Sequence, residues 1–157
     1  MIKNIQFMEQ LNQYYTTWQE WNCMYEEWAK ANGLSANSLL VLSAIYDSKE
    51  ECTQKKISQR WLVPKQTVNM ILKDFEKQGL VELSPMRTDK RRKTICFTPK
   101  GKEYAKTILS KLRKVEMNAI DEMGIERMKR FNEDAALFVK LLGKAEGKNN
   151  DKVRIIV

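Results

Sequence analysis

The spacing of apolar residues changes twice along this chain, and those changes constrain the fold more than any other feature. Phe7, Leu11, Tyr14, Trp18, Trp21, Tyr25 and Trp28 advance in alternating steps of 4 and 3, which places them on one face of a helix. Shorter stretches keep that period as far as Phe75. After Gly79 the period drops to two, with Val81 and Leu83 alternating with Glu82 and Ser84, and again through Thr94-Ile95-Cys96-Phe97. From Thr98-Pro99 onward the helical period returns. A chain that is helical, briefly extended, then helical again must pack a small hairpin among helices.

Punctuation residues set the boundaries. The first helix runs to Ala31 and stops at Asn32-Gly33. Ser35 is suited to cap a second helix that buries Leu39, Leu42 and Ile45-Tyr46 and ends near Asp47-Ser48-Lys49. Thr53 caps a short third helix through Ile57 and Trp61. Pro64, at a first-turn position, opens a fourth from Lys65 to Gln78, closed by Gly79. Val68, Ile71, Leu72 and Phe75 form its apolar face, while Lys65, Gln66, Asn69, Lys73 and Lys77 face water. Pro85 to Lys93 is a polar turn with five positive charges. Thr98-Pro99 starts a long helix to about Glu122, with Ala105, Ile108, Leu112, Val115 and Ala119 in one stripe. A last helix spans roughly Glu126 to Gly143, carrying Met128, Phe131, Ala135, Phe138 and Leu142. Residues 144–157 read as a polar tail.

The charge is unevenly placed. The 157 residues carry a formal +8, yet residues 53–102 alone hold 13 Lys and Arg against 4 Asp and Glu, a net +9. A local excess of that size points to a polyanion, because an electrostatic footprint is a patch and not an average. Histidine is absent, which removes imidazole bases, Ser-His and Cys-His nucleophile pairs and His-containing zinc sites. No catalytic set, metal site or cofactor is therefore expected. No apolar run approaches the roughly 18 residues of a membrane span, and the start lacks a signal-peptide core. Three scattered cysteines, Cys23, Cys52 and Cys96, suit the reduced cytoplasm.

A short helix, a turn and a second helix followed by a hairpin is the winged helix-turn-helix plan. The predicted class is thus mainly α with a small β-hairpin wing, the winged part covering residues 34–98. A helix that enters the major groove needs polar and basic residues in front and apolar ones behind. Lys65, Gln66 and Asn69 lie near the start of the fourth helix, where such a helix meets base edges. Gln and Asn can pair with adenine through two hydrogen bonds, and Lys can reach guanine or a phosphate. A basic hairpin tip can lay Arg in the adjoining minor groove.

Several of these segments are similar to the multiple antibiotic resistance regulator (MarR) family of bacterial transcription factors. Thr53-Gln54-Lys55-Lys56-Ile57-Ser58, Gln66-Thr67-Val68 and Phe75-Glu76-Lys77-Gln78-Gly79-Leu80-Val81 resemble its helix-turn-helix, and residues 34–42 its second helix. Asp89-x-Arg91 resembles its wing tip. Thr98-Pro99-Lys100-Gly101 resembles its Leu-Thr-x-x-Gly pattern, with Phe97 in place of Leu. The likeness spans about residues 5–143. Two positions depart from it: Leu62 stands in the turn where a small residue is common, and Gln66 where Ser is frequent.

The resemblance implies a homodimer joined through the first, fifth and sixth helices (residues 5–31 and 99–143). It further implies a repressor that binds an inverted-repeat operator on double-stranded DNA. On that reading Lys65, Gln66, Thr67, Asn69 and Lys73 serve the major groove. Arg91 enters the minor groove, oriented by Asp89 through a charge-assisted hydrogen bond. Gln54, Arg87, Lys90 and Arg92 contact the backbone. The resemblance also implies release by a small aromatic or phenolic effector. The rings at Trp18, Trp21, Tyr25 and Trp28, with Met24, are expected to be close-packed core or a subunit seam, a ligand pocket being the alternative. Cys23 is expected to be buried or inert. Two other readings remain open: a winged module for RNA or protein, and a thiol-based redox sensor.

Overall fold

Helix ends in this protein fall where orphaned backbone groups find partners. The computed structural model describes residues 2–49, 51–85 and 93–145. Among these the chain forms helices α1 (Ile2–Ala31), α2 (Ala36–Tyr46), α3 (Gln54–Trp61) and α4 (Lys65–Lys77). Strands β1 (Val81–Pro85) and β2 (Lys93–Phe97) follow, then helices α5 (Pro99–Met123) and α6 (Ile125–Ala145). This is the mainly helical class with one small hairpin that the periodicity predicts. Ser35 Oγ accepts the N–H of Ser38 at 3.0 Å, and Thr53 Oγ1 that of Lys56 at 3.2 Å, so both expected caps form. Pro64 occupies the cap position of α4, one residue before the first turn, and α4 starts without a side-chain cap. α6 continues to Ala145, two residues beyond the expected end at Gly143.

The chain divides into two units, Met1–Lys106 and Thr107–Val157, with α5 running across the division. In the first unit, α2 is the central element and packs against α1, α3, α4 and β2. Leu39, Val41, Leu42 and Ile45 of α2 are buried with Ile57 of α3 and with Val68, Ile71, Leu72 and Phe75 of α4. Leu80, Val81 and Ile95 close the same core from the hairpin. Burying side chains of this size stabilises by about 1.5–3 kcal/mol each relative to exposure.

The hairpin pairs antiparallel, with Val81 opposite Phe97 and Leu83 opposite Ile95, so these four residues share one face. Ile95 also donates its N–H to the Cys52 carbonyl at 2.9 Å, anchoring β2 to the segment before α3. Tyr46 of α2 and Phe97 of β2 meet with ring centroids 6.5 Å apart.

One junction ties α4, β1 and α5 together. Thr98 Oγ1 donates to the Gly79 carbonyl at 2.7 Å and accepts the Gly101 N–H at 2.9 Å. The Thr98 N–H reaches the Leu80 carbonyl at 3.0 Å. Gly101 packs so closely that a Cβ there would lie 1.8 Å from the Leu80 carbonyl oxygen. That contact is with backbone, which cannot swing aside. The Thr98-x-x-Gly101 spacing thus has a steric cause: the threonine caps α5, and the glycine lets α5 approach the end of α4.

The remaining apolar stripes behave differently. Among the described residues of α1 only Ala29 is buried, and Trp18 is 51% exposed. Tyr25 and Trp28 are half-buried, while Trp21 and Met24 are exposed. These rings are therefore not a close-packed core within one chain, contrary to one of the two expectations for them. In the second unit Ile108 and Leu109 are buried, but Val115 and Met117 further along α5 are exposed. α6 buries none of its residues, and Ile125, Leu137, Leu141 and Leu142 face solvent. Among the described residues no helix is long and apolar enough to cross a membrane.

Candidate nucleic-acid interface

α4 has two faces of opposite character. Val68, Ile71, Leu72 and Phe75 point into the core. Lys65, Gln66, Asn69, Lys73 and Lys77 are all exposed, as the periodicity predicts, and Thr67 is half-buried between the two faces. A cleft of about 550 Å³ opens beside the helix. Gln54 and Lys55 of α3, Lys65, Asn69 and Lys73 of α4, and Lys93 of β2 line it. Four lysines thus converge on one concavity between the helix pair and the root of the hairpin. Lys55 and Lys93 were not singled out from the sequence, although both belong to the basic stretch that signalled the site.

Gln54 has a structural task here. Its Nε2 donates to the Lys65 carbonyl at 2.8 Å, which braces α3 against the first turn of α4. Of the wing, the structure fixes the strand ends, Pro85 opposite Lys93. Arg87, Asp89, Lys90, Arg91 and Arg92 lie outside the described residues, as do 146–157 of the expected tail.

The turn between α3 and α4 is made by Leu62 in the left-handed conformation, φ 54° and ψ 26°, with 86% of its surface exposed. Among the described residues it is the sole non-glycine with positive φ. Leucine adopts here a conformation that costs an L-residue about 1–2 kcal/mol. The sequence departure at this position is thereby accommodated by strain in one residue.

Two of the cysteines, Cys23 and Cys52, hold their thiols toward the protonated form. Cys23 is exposed, not buried, and its Sγ donates to Glu27 Oε1 at 3.6 Å. The negative charge of Glu27, and that hydrogen bond, push its pKa above the ordinary thiol value. Cys52 is buried, and desolvation raises its pKa despite a hydrogen bond from Ser48 that acts the other way. Thiolates are the reactive species, so both shifts work against thiol chemistry.

A tri-helical support, a helix with a cationic outer face, and a hairpin beside it define a winged helix-turn-helix DNA-binding transcription regulator. The family model described as MarR family matches residues 32–92. The match falls on the winged part, and the fold of the chain as a whole is similar to that of solved MarR-family regulators. NMB1585, a MarR family regulator from Neisseria meningitidis, superposes with a TM-score of 0.76 at 26% identity, over 88% of this chain and 96% of that one. Staphylococcus aureus MarR, solved with salicylate and kanamycin, gives 0.68 at 20% identity, over 89% and 94%. The S. aureus MepR–DNA complex gives 0.69 at 17% identity, over 83% and 96%. No curated protein matches in sequence.

Proposed function

We infer that this chain is a homodimeric repressor that binds an inverted-repeat operator. In this reading α4 of each protomer enters the major groove and the wings flank it. The observation that carries it is the division of α4 into a fully buried apolar face and an exposed face of lysines and amides, beside a cleft lined by four lysines. Lys65, Gln66, Thr67, Asn69 and Lys73 are assigned to base edges and phosphates. Arg91 is assigned to the minor groove with Asp89 orienting it, and Gln54, Arg87, Lys90 and Arg92 to the DNA backbone.

Dimerisation is supported by the apolar surface that one chain leaves open. Ile5, Met8, Tyr15 and Trp18 on α1, and Ile125, Leu137, Leu141 and Leu142 on α6, are all exposed. Exposed apolar stripes of this kind on each helix mark interfaces, and a twofold pair of reading helices suits a palindromic site. The solved relatives include a regulator bound to DNA, one holding salicylate and one holding p-coumaroyl-CoA, which supports release by a small aromatic ligand.

Selection of operators from genomic fragments, followed by binding in a salt series, tests the reading. A palindrome should be enriched, with log affinity falling steeply against log salt. Sedimentation should give twice the chain mass. Recovery of no enriched sequence, or of single-stranded RNA in preference to duplex DNA, would refute it.

A further inference from the structure

We propose that Met70 is a specificity-determining residue that reads the C5-methyl group of a thymine. The inference rests on α4 being the helix that enters the major groove. Met70 is one turn beyond Gln66 and three residues before Lys73, so the three share the outer face of α4. They lie opposite the buried set Val68, Ile71, Leu72 and Phe75. Met70 is 66% exposed, a long apolar side chain set among amides and lysines. It contributes nothing to the core, and none of the hydrogen bonds or charges that otherwise furnish this face.

Base edges in the major groove offer donors, acceptors and a single projecting apolar group, the thymine methyl. A thioether chain is unbranched and adaptable, and its exposed surface leaves water only when an apolar partner covers it. Gln66 and Lys73 on either side are equipped for polar edges, so Met70 supplies the complementary apolar contact. One helical turn rises about 5.4 Å against about 3.4 Å per base pair. The thymine therefore lies one or two base pairs from the base read by Gln66.

The test uses the full-length protein and a duplex taken from operator selection. Each thymine of one half-site is replaced in turn by deoxyuridine, which removes only the methyl group. The wild-type protein should lose about threefold to tenfold in affinity at one position. Met70→Ala should bind the unmodified duplex with a similar loss and be indifferent to deoxyuridine there. Met70→Ala should also select sites with that thymine no longer enriched. Because the side chain is exposed, unchanged circular dichroism and melting are expected for the variant. A wild type that selects a defined operator yet tolerates deoxyuridine everywhere would overturn the proposal while leaving the DNA reading intact. A Met70→Ala protein that keeps the wild-type sensitivity to deoxyuridine would overturn it equally. Failure to select any duplex sequence would overturn both.

Discussion

α1 and α4 each carry a row of large apolar residues at helical spacing, yet they end in opposite environments. Phe75 of α4 is 1% exposed, whereas Trp18 of α1 is 51% exposed. The difference comes from what surrounds each helix. α4 is backed by α2, α3 and β1, which together cover one side of it completely. α1 packs against α2 near its C-terminal end, where Ala29 is buried, and most of its thirty residues project beyond that contact. An apolar stripe read from sequence therefore specifies a face that needs a cover, and says nothing of which molecule provides it.

Four measurements break or sharpen this contrast. The largest effect is expected in the closed core: Phe75→Ala should cost about 3–5 kcal/mol in denaturant unfolding. A matched change on the open stripe, Trp18→Ala, should instead leave the winged part folded and weaken self-association. A loss from Trp18→Ala as large as that from Phe75→Ala, at a protein concentration where chains are monomeric, would erase the distinction.

Next in size come the residues on the outer face of α4, where DNA binding should suffer while stability holds. Gln66→Ala should lose about 1–3 kcal/mol of affinity and relax base preference at one position of each half-site. Lys73→Ala should weaken binding evenly across sequences and reduce the salt slope by about 1 per contact. Identical behaviour of the two variants would mean that the face does not separate base from phosphate contacts.

Smaller, and opposite in sign, is the turn between α3 and α4. Leu62→Gly should raise stability by about 1 kcal/mol, since glycine adopts the left-handed region without steric cost while the lost side chain is exposed. Thermal unfolding at fixed concentration measures it, and a destabilised variant would show that the leucine makes a contact that offsets its strain.

The smallest effect concerns Cys23 on α1. Its thiol pKa is raised chiefly by the Glu27 charge. A raised pKa means less thiolate at a given pH, so Glu27→Gln should shift the alkylation profile of Cys23 toward lower pH. An unmoved profile would remove Glu27 as the cause.

Much of this architecture was legible in the residues, for local reasons. Ser35, Thr53, Gly79 and Thr98-Pro99 act within a few residues of themselves, and all fall at element ends as predicted. The polar face of α4 follows from its buried face by geometry alone. What was not legible depends on neighbours distant in sequence. The rings of α1 show a pattern common to core and seam, and only the positions of the other helices separate the two. Gln54 looks like a solvent-facing amide until α4 brings the Lys65 carbonyl within 2.8 Å of it. Met70 has no periodic signature, because it is an apolar residue on a helix face that is otherwise polar. Gly101 is visible as part of a pattern, but its cause, the Leu80 carbonyl, belongs to the distant turn between α4 and β1.

The two-sided build of α4 has a consequence for how such a regulator changes over generations. Residues that hold the fold and residues that face outward occupy the same thirteen-residue helix without sharing positions. Replacing Gln66, Asn69 or Met70 removes no buried side chain, so on the proposed reading variants at these sites survive long enough to be tried against new DNA sequences. A duplicated copy can thereby acquire a different set of target genes through a few substitutions, without first evolving a new scaffold.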